Sequence, residues 1–496
     1  MAMAAGATRV WPQPATVTLT LRSTIQRHVP ETFTGLSYEL AQLTEPGFFS
    51  AKHTDLVALF RCLSPTGILR LGGNTSEFCW IQLDASTTAP TLRIPPGNLA
   101  QNWMPHRLFA IPPSSIDTLA GFLHAAGWQT VFGLNFGNSS AERAAAEAAL
   151  VASRLGDLLA YFQIGNEPDF YRDANNGTRP PGWGFEDYAR EWLAIADAIS
   201  ARVPNARFGG PDTGASSDWV TRFGNQIAPK LGSWLAALSG HYYAEGPPND
   251  PRVTTARLLA GDPRVASSTQ DIVRVADTHH LIYRMTEGNS CYRGGKPGMS
   301  DAFAASLWAA DYLLLLASLG CAGVNLHGGD SRFLSAGLGD HNPGLEAAAN
   351  TKPSAPNGFY TPIASEHDRP DAARPVFYGM LLAQQFAGAT MLACDLEAPA
   401  AVTAYAAQKG SHRVIAIINK ASTPLSLALR GDQPARRAAL WRLAGPSLDA
   451  TLGITLGSAA VSDAGAWNPI SKPIPVHSGT LSLELPATSA ALVFLD

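Results

Sequence analysis

From Phe33 onward, short apolar runs alternate with longer helical patterns, so the hydrophobic period switches repeatedly between strand and helix. The short runs predict eight strands, at Phe33–Leu40, Gly67–Leu71, Thr130–Asn135, Leu158–Gly165, Arg207–Gly210, Leu238–Tyr243, Leu281–Thr286 and Ala322–His327. Leu158–Gly165 is mostly apolar and rich in aromatic and β-branched residues, as expected for a parallel strand covered on both faces. Helical patterns separate the strands at Asp55–Leu63, Ser115–Ala126, Ala141–Leu155, Glu186–Val203, Asp218–Leu231, Asp271–His279 and Asp301–Leu319, and Pro375–Ala387 closes the last unit. Ser115 and Ser300 read as N-caps, and Gly156 as a helix stop. Eight strand-then-helix units predict an α/β protein built on a closed (β/α)8 TIM barrel rather than an open doubly wound sheet.

The two ends of the chain follow a different pattern. Ala15–Arg22 alternates apolar and Thr residues with period two. After about residue 393, β-like runs at Ala401–Ala407, Arg413–Ile418, Leu425–Leu429, Ala438–Leu443, Thr480–Leu485 and Ala490–Leu495 are separated by Gly, Pro, Ser and Asp clusters. These runs predict a second, smaller antiparallel β-sandwich domain, with the lone N-terminal strand as its remaining partner. The expected division is residues 8–27 and 394–496 in the sandwich and 28–393 in the barrel. Ser331–Arg374 is long, polar and rich in Gly and Pro, and a loop of that length is more often functional or disordered than idle.

Composition narrows the function. Charged residues make up 15% of the 496 and the net charge is -4, so no basic field exists to attract nucleic acid. A neutral or lightly charged substrate is expected instead. The 5 cysteines are scattered without a CxxC pair, and no His/Cys/Asp cluster has metal-ligand spacing. No nucleotide-binding glycine motif and no GxSxG elbow occurs, so no cofactor and no metal is expected. The apolar stretch Ala302–Leu326 carries Asp311 in its middle and Gly320 and Gly323 near its end. It reads as a buried barrel helix running into a strand, not a membrane span. No secretory signal is visible at the N-terminus, and the compartment stays open.

The candidate chemistry sits at strand ends. Asn166, Glu167 and Pro168 follow the fourth strand, and Pro168 forces the chain out of the ladder, leaving Glu167 on the rim that carries active sites in such barrels. Glu287 ends the seventh strand in the same way. Strands four and seven lie nearly opposite, so the two carboxyl groups can converge over the barrel mouth. A facing pair of carboxylates is the machinery of glycoside hydrolysis, one kept protonated and the other ionised. His241, Tyr242 and Tyr243 end the sixth strand, where a Tyr hydroxyl, Tyr243 ahead of Tyr242, can bond and orient Glu287, packing being the alternative. Glu39 and Asn74, after strands one and two, have the short polar reach suited to sugar hydroxyls or to local backbone.

At these residues the chain resembles a known family. Arg70–Phe78 (RLGGNTSEF), Phe132–Gly137 (FGLNFG), Gln163–Phe170 (QIGNEPDF), Gly240–Tyr243 (GHYY) and Thr286–Gly295 (TEGNSCYRGG) are similar to glycoside hydrolase family 79, nearest its bacterial β-glucuronidases. The resemblance runs from about Phe33 to Gly329, and the family's barrel-plus-sandwich architecture fits the rest. It implies a retaining mechanism with Glu167 as acid/base and Glu287 as nucleophile. It also implies Asn166 and Glu39 as hydroxyl ligands, with Tyr292 and the Gly294 amide at the substrate carboxylate. Asn74, Glu39 and His327 depart from the family's heparanase, which has Thr, Asp and Gln at the corresponding places. Gly328–Asp340 does not align, so the family's last carboxylate-binding Tyr has no counterpart in the sequence reading.

The expected substrate is a carbohydrate, a terminal β-linked glucuronide in free or 4-O-methyl form, with neither nucleic acid nor membrane as partner. The absence of basic clusters favours action at chain ends over heparanase-like endo-hydrolysis. A binding barrel without hydrolysis is the other alternative. Downstream of Glu287, the glycine-rich run Gly288–Lys296 suits an anion site, with the Gly294 and Gly295 amides, Tyr292, and Arg293 or Lys296 as donors.

Overall fold

The computed structural model describes residues 15–93, 104–173, 178–340, 358–365, 370–432 and 435–496. Eight parallel strands close a barrel in sequence order: Thr34–Glu39, Ile68–Gly72, Gln129–Leu134, Leu159–Ile164, Phe208–Thr213, Leu235–Glu245, Ile282–Cys291 and Gly323–Gly328. The eighth pairs back onto the first, from Val324 opposite Thr34 to Gly328 opposite Tyr38. All eight predicted strands are therefore present. The fifth and seventh run further than expected, past Gly210 to Thr213 and past Thr286 to Cys291.

The barrel interior carries a polar network beside a small apolar cluster that includes Ile68, Val131, Tyr161 and Ala237. Arg284 donates to Asn325 at 2.6 Å and to the Thr32 carbonyl at 3.1 Å, and Asn325 in turn donates to the carbonyls of Leu36 and Ile68. Higher up, Arg70 and Gln163 both reach Asp212. These inward groups satisfy one another, as buried polar groups must. Small residues make room for them, and a Cβ on Gly72 would fall 2.2 Å from the Arg70 guanidinium carbon. The apolar residues between them, such as Leu69, Leu71, Phe162, Val324 and Leu326, join the main core between barrel and helices.

The surrounding helices are Thr54–Leu63, Ser114–Ala126, Ala141–Leu155, Phe185–Arg202, Ser217–Leu231, Arg264–Thr278, Phe303–Leu319 and Pro375–Gln384. The caps differ from expectation. Ser115 lies inside its helix and donates to the Leu43 carbonyl, while Ser300 accepts from the Lys296 amide ahead of a helix whose N-cap is Ala302. Among the described residues, Ser140, Ser216, Thr254 and Asp330 are the side chains that cap helix N-termini, and Gly156 does end its helix, at φ 50°. Phe303–Leu319 is apolar nearly all round because it is covered on both sides, by the barrel and by the second sheet. Its Asp311 accepts from Lys420 at 2.5 Å and from Thr403 and Tyr405 at 2.7 Å, which ties that sheet to the barrel. Among the described residues, no helix is long and apolar enough to cross a membrane.

The second unit is one curled 11-stranded sheet. Its central strands alternate strictly. Ile415 and Ile417 join a core with Val17, Leu19, Leu427 and Val493, whereas Val414, Ala416 and Ile418 pack into the barrel's core. The sheet is mixed rather than purely antiparallel, because Ala15–Leu21 runs parallel to Leu425–Gly431 while pairing antiparallel with Thr390–Glu397, a strand missing from the prediction. Within the expected long loop, Ser331–Gly337 is helical and Ile363–Ala364 pairs with Ala372–Ala373. Its positions 341–357 and 366–369 lie outside the described residues.

Candidate active site

The fourth strand delivers its carboxyl group through a locally held backbone. Glu167 adopts φ 51°, a left-handed conformation that is uncommon for a residue with a side chain, and its amide donates to the Asp212 carbonyl at 2.9 Å. Just upstream, the buried Glu77 carboxylate accepts the amides of Asn166 at 2.7 Å, Phe136 at 3.0 Å and Gly137. Just downstream, Asp169 accepts the amides of Gly214, Ala215 and Ser216 at 2.9 to 3.0 Å. The Asn-Glu-Pro-Asp segment is thereby pinned to its neighbours on both sides. Neither Glu77 nor Asp169 was singled out from sequence.

Glu287 is more deeply enclosed. One carboxylate oxygen accepts from Arg70 at 2.6 Å and the other from the Tyr243 hydroxyl at 2.8 Å. His327 lies between it and Glu39, 3.7 Å from a Glu287 oxygen and 3.6 Å from a Glu39 oxygen. Burial alone would push the Glu287 carboxyl up, yet the neighbouring His327, His241 and Arg70 outweigh it and hold the group at about 2. Glu167 shifts the other way. Burial raises its pKa against the opposing pull of His241, and the nearby Glu287 charge adds to the rise.

His241 connects the two sides. Its Nδ1 lies 3.0 Å from Glu167 and 4.0 Å from Glu287, and its Nε2 lies 3.1 Å from Asp212. Glu167, His241 and Glu287 each bring one atom within 4.8 Å of the other two, the grouping among the described residues that is close enough to hold a metal ion. In this arrangement both imidazole nitrogens already face carboxylates. The chemistry on offer is a carboxyl group pushed toward its protonated form close to one held ionised.

A cavity of about 890 Å³ opens above this pair. Glu39, Asn74, Asn166, Tyr292 and His327, the residues read from sequence as substrate contacts, line it. Several of their polar atoms are already engaged: Glu39 accepts from the Thr75 amide and hydroxyl, and Asn74 donates to the Gly337 carbonyl while accepting from Asn166. Gly294 and Gly295 differ from expectation. Neither lines the cavity; a Cβ on Gly295 would fall 2.8 Å from Ser300 and from the Tyr360 amide, and the Gly294 carbonyl accepts that amide. Arg293 lines the cavity, whereas Lys296 turns away to donate to the Val253 carbonyl. Tyr242 stacks on Tyr312 with centroids 5.3 Å apart, leaving Tyr243 as the tyrosine on Glu287.

Three residues that sequence reasoning missed are central. Arg70 and Asp212, 1% exposed, sit under the carboxyl pair, and Tyr360 lines the cavity with its ring 6.1 Å from Tyr243 and 6.0 Å from His327. A lone arginine in an otherwise apolar barrel strand, as in ILRLG, was the available signal for the first of them.

The fold is similar to solved barrel-plus-sheet structures. A solved 4-O-α-L-rhamnosyl-β-D-glucuronidase from Fusarium oxysporum superposes with a TM-score of 0.72 at 17% identity, covering 96% of this chain and 99% of that one. A family 51 arabinofuranosidase from Xanthomonas axonopodis superposes with a TM-score of 0.64 at 16% identity, over 97% and 100% of the two chains. In sequence, the chain is 27% identical over 315 residues to a β-glucuronidase of Aspergillus niger, covering 58% of this chain. It is 28% identical over 195 residues to a β-glucuronidase of Neurospora crassa, covering 35% of this chain. The matches span 55% and 34% of those relatives' lengths. No protein-family model matches the chain.

Proposed function

We propose that the chain is a retaining, exo-acting β-D-glucuronidase that releases terminal β-linked glucuronic acid, with Glu287 as nucleophile and Glu167 as acid/base. The observation that carries this reading is the pair itself: oxygens of Glu167 and Glu287 lie within 4.8 Å, and their ionisation is driven in opposite directions. Retaining hydrolysis needs carboxyl groups about 5 to 5.5 Å apart, whereas inversion needs roughly 6.5 to 9.5 Å to admit a water. Glu287 attacks the anomeric carbon as a carboxylate while Glu167 protonates the departing oxygen. After the aglycone leaves, Glu167 takes a proton from the water that cleaves the glycosyl ester. Tyr243 orients the attacking carboxylate.

Two relatives are named β-glucuronidases, and one of the structures similar over most of the chain is named a 4-O-α-L-rhamnosyl-β-D-glucuronidase. Support for recognition of the sugar carboxylate comes from Tyr292, Arg293 and Tyr360, which line the cavity. Support for exo action comes from Leu334 and Leu338, which also line the cavity, with Asn74 bonding the end of their helix at Gly337. The opposed ionisation of the two acids argues against a binding barrel, which has no use for a protonated carboxyl group beside an ionised one. Hydrolysis of a chromogenic β-glucuronide, with the first-formed anomer followed by NMR, tests the reading. Release of the β anomer first is expected. Release of the α anomer, or inert glucuronide, would overturn it.

A further inference from the structure

Asp212 contacts Glu167 twice, once directly and once through His241. Its carbonyl accepts the Glu167 amide at 2.9 Å, and its carboxylate lies 3.1 Å from the Nε2 of His241, whose Nδ1 lies 3.0 Å from Glu167 Oε1. Asp212 adopts φ 62° and Glu167 φ 51°. Two side-chain-bearing residues held left-handed in facing positions are a costly arrangement, and such strain concentrates where geometry matters. Asp212 also accepts from Arg70, Thr286 and Gln163. A carboxylate surrounded by this many donors stays ionised and can only accept, so the imidazole nitrogen facing it carries a hydrogen.

The protonation of the second nitrogen is decided by the charges around it. Facing the imidazole and its two carboxyl partners are Arg70 from strand two, Asp169 in the turn after strand four, and Tyr243 from strand six. Glu287 from strand seven, His327 from strand eight and Glu39 from strand one complete the set. With Glu167 protonated, the innermost buried charges are Arg70 against Asp212 and Glu287, a net negative charge that a positive imidazole cancels. Were Nδ1 bare, it would accept the Glu167 proton itself and turn that proton away from the substrate.

Resting on the assignment of Glu167 as acid/base, we infer that the Asp212–His241 pair positions it. The pair holds an imidazolium against Oε1 and confines the transferable proton to Oε2. The direction of the His241 shift agrees: burial lowers it, but Asp212 and Glu287 together raise it to about 10. The positive charge also keeps Glu167 from becoming too weak an acid, because it opposes the rise caused by burial.

The test has one arm that does not need activity. In protein carrying 15N-labelled histidine, with the His241 signal assigned from His241→Gln, both ring nitrogens are expected to be protonated at pH 8. In Asp212→Asn the ring should be neutral at that pH. A neutral wild-type imidazole at pH 8 overturns the inference, and this result stands even if Asp212→Asn does not fold. In kinetics, His241→Gln removes the positive charge, so Glu167 becomes a weaker acid and the alkaline limb of kcat/KM moves up, by about one pH unit or more. Asp212→Asn should move it the same way, and the double variant no further, since both act on one proton. Loss of rate at every pH with an unmoved limb would assign His241 a merely structural role and also overturn the inference. A wild-type enzyme inert on glucuronides would instead sink the functional reading, leaving the NMR arm to decide the protonation state.

Discussion

The floor and the wall of the cavity are built by different means. The floor groups Arg70, Asp212, His241 and Glu287 rise from barrel strands, are at most 8% exposed in their side chains, and bond one another. The wall groups Tyr292, Arg293, Leu334, Leu338 and Tyr360 come from the turn after strand seven and from the long segment after strand eight, and Tyr292 is 36% exposed. Strand ends inherit their positions from the closed ladder, so they can hold acids to the fractions of an ångström that proton transfer needs. Turns carry recognition because they can vary without disturbing the barrel. Damage to the floor should therefore abolish turnover or stability, and damage to the wall should mainly change which sugar is preferred.

The largest effect is expected from Glu287→Gln, which removes the group that forms the covalent bond. Turnover should fall on the order of 10^5-fold with every leaving group, measured by single-turnover kinetics. Equal loss with a wild-type-like product burst would separate the nucleophile from Glu287. Next comes Glu167→Gln, at about 10^2- to 10^4-fold on a poor leaving group and far less on an activated aryl glucuronide. Because the Glu167 pKa is raised, the wild-type enzyme keeps its acid protonated into a higher pH range and loses activity as the pH rises through it. That alkaline limb should vanish in Glu167→Gln. If it persists, the limb belongs to another group.

Arg70→Met tests the floor as structure. It leaves Asp212 and Glu287 buried without their shared guanidinium, and removing one partner of a buried pair costs about 3 to 5 kcal/mol. Urea denaturation should register a loss of that order. Surviving activity should also shift: Glu287 is needed ionised and is held at about 2, so without Arg70 its pKa rises and the acid limb moves to higher pH. A stable variant with an unchanged acid limb would show that Tyr243 and the histidines hold Glu287 without help.

The same division explains what was legible in the sequence. Glu167 and Glu287 could be read because Pro168 and the glycines after Glu287 mark where a strand must stop, and the eight-fold alternation fixes which end is the mouth. Arg70 was hidden in the opposite way, as an internal strand position whose inward direction has meaning only once the barrel closes on Asp212. Asp212 fell outside its strand because Pro211 made the run look finished at Gly210, although the strand continues to Thr213. Tyr360 comes from a polar segment with no periodicity to read. The helix starting at Arg264 was read only from Asp271, and the strand at Thr390–Glu397 lost its signal where polar and apolar residues mix in CDLE.

The smallest change is expected at the wall, and it discriminates best between floor and wall. Tyr292 packs over Gly246, where a Cβ would fall 2.3 Å from its ring, and its amide donates to the Glu245 carbonyl at 3.1 Å. Those contacts are made by ring and backbone, so Tyr292→Phe keeps both and removes only the hydroxyl. If that hydroxyl bonds the sugar carboxylate, its loss costs about 1.5 to 3 kcal/mol, or roughly 10- to 150-fold in kcat/KM. A β-glucoside has no carboxylate to lose, so its slow hydrolysis should hardly change, and the two pKa limbs set by the floor should stay in place. Equal losses on glucuronide and glucoside would mean that the hydroxyl acts through Glu287 or Tyr243 rather than on the substrate. A shifted limb with unchanged selectivity would erase the division between floor and wall at this residue.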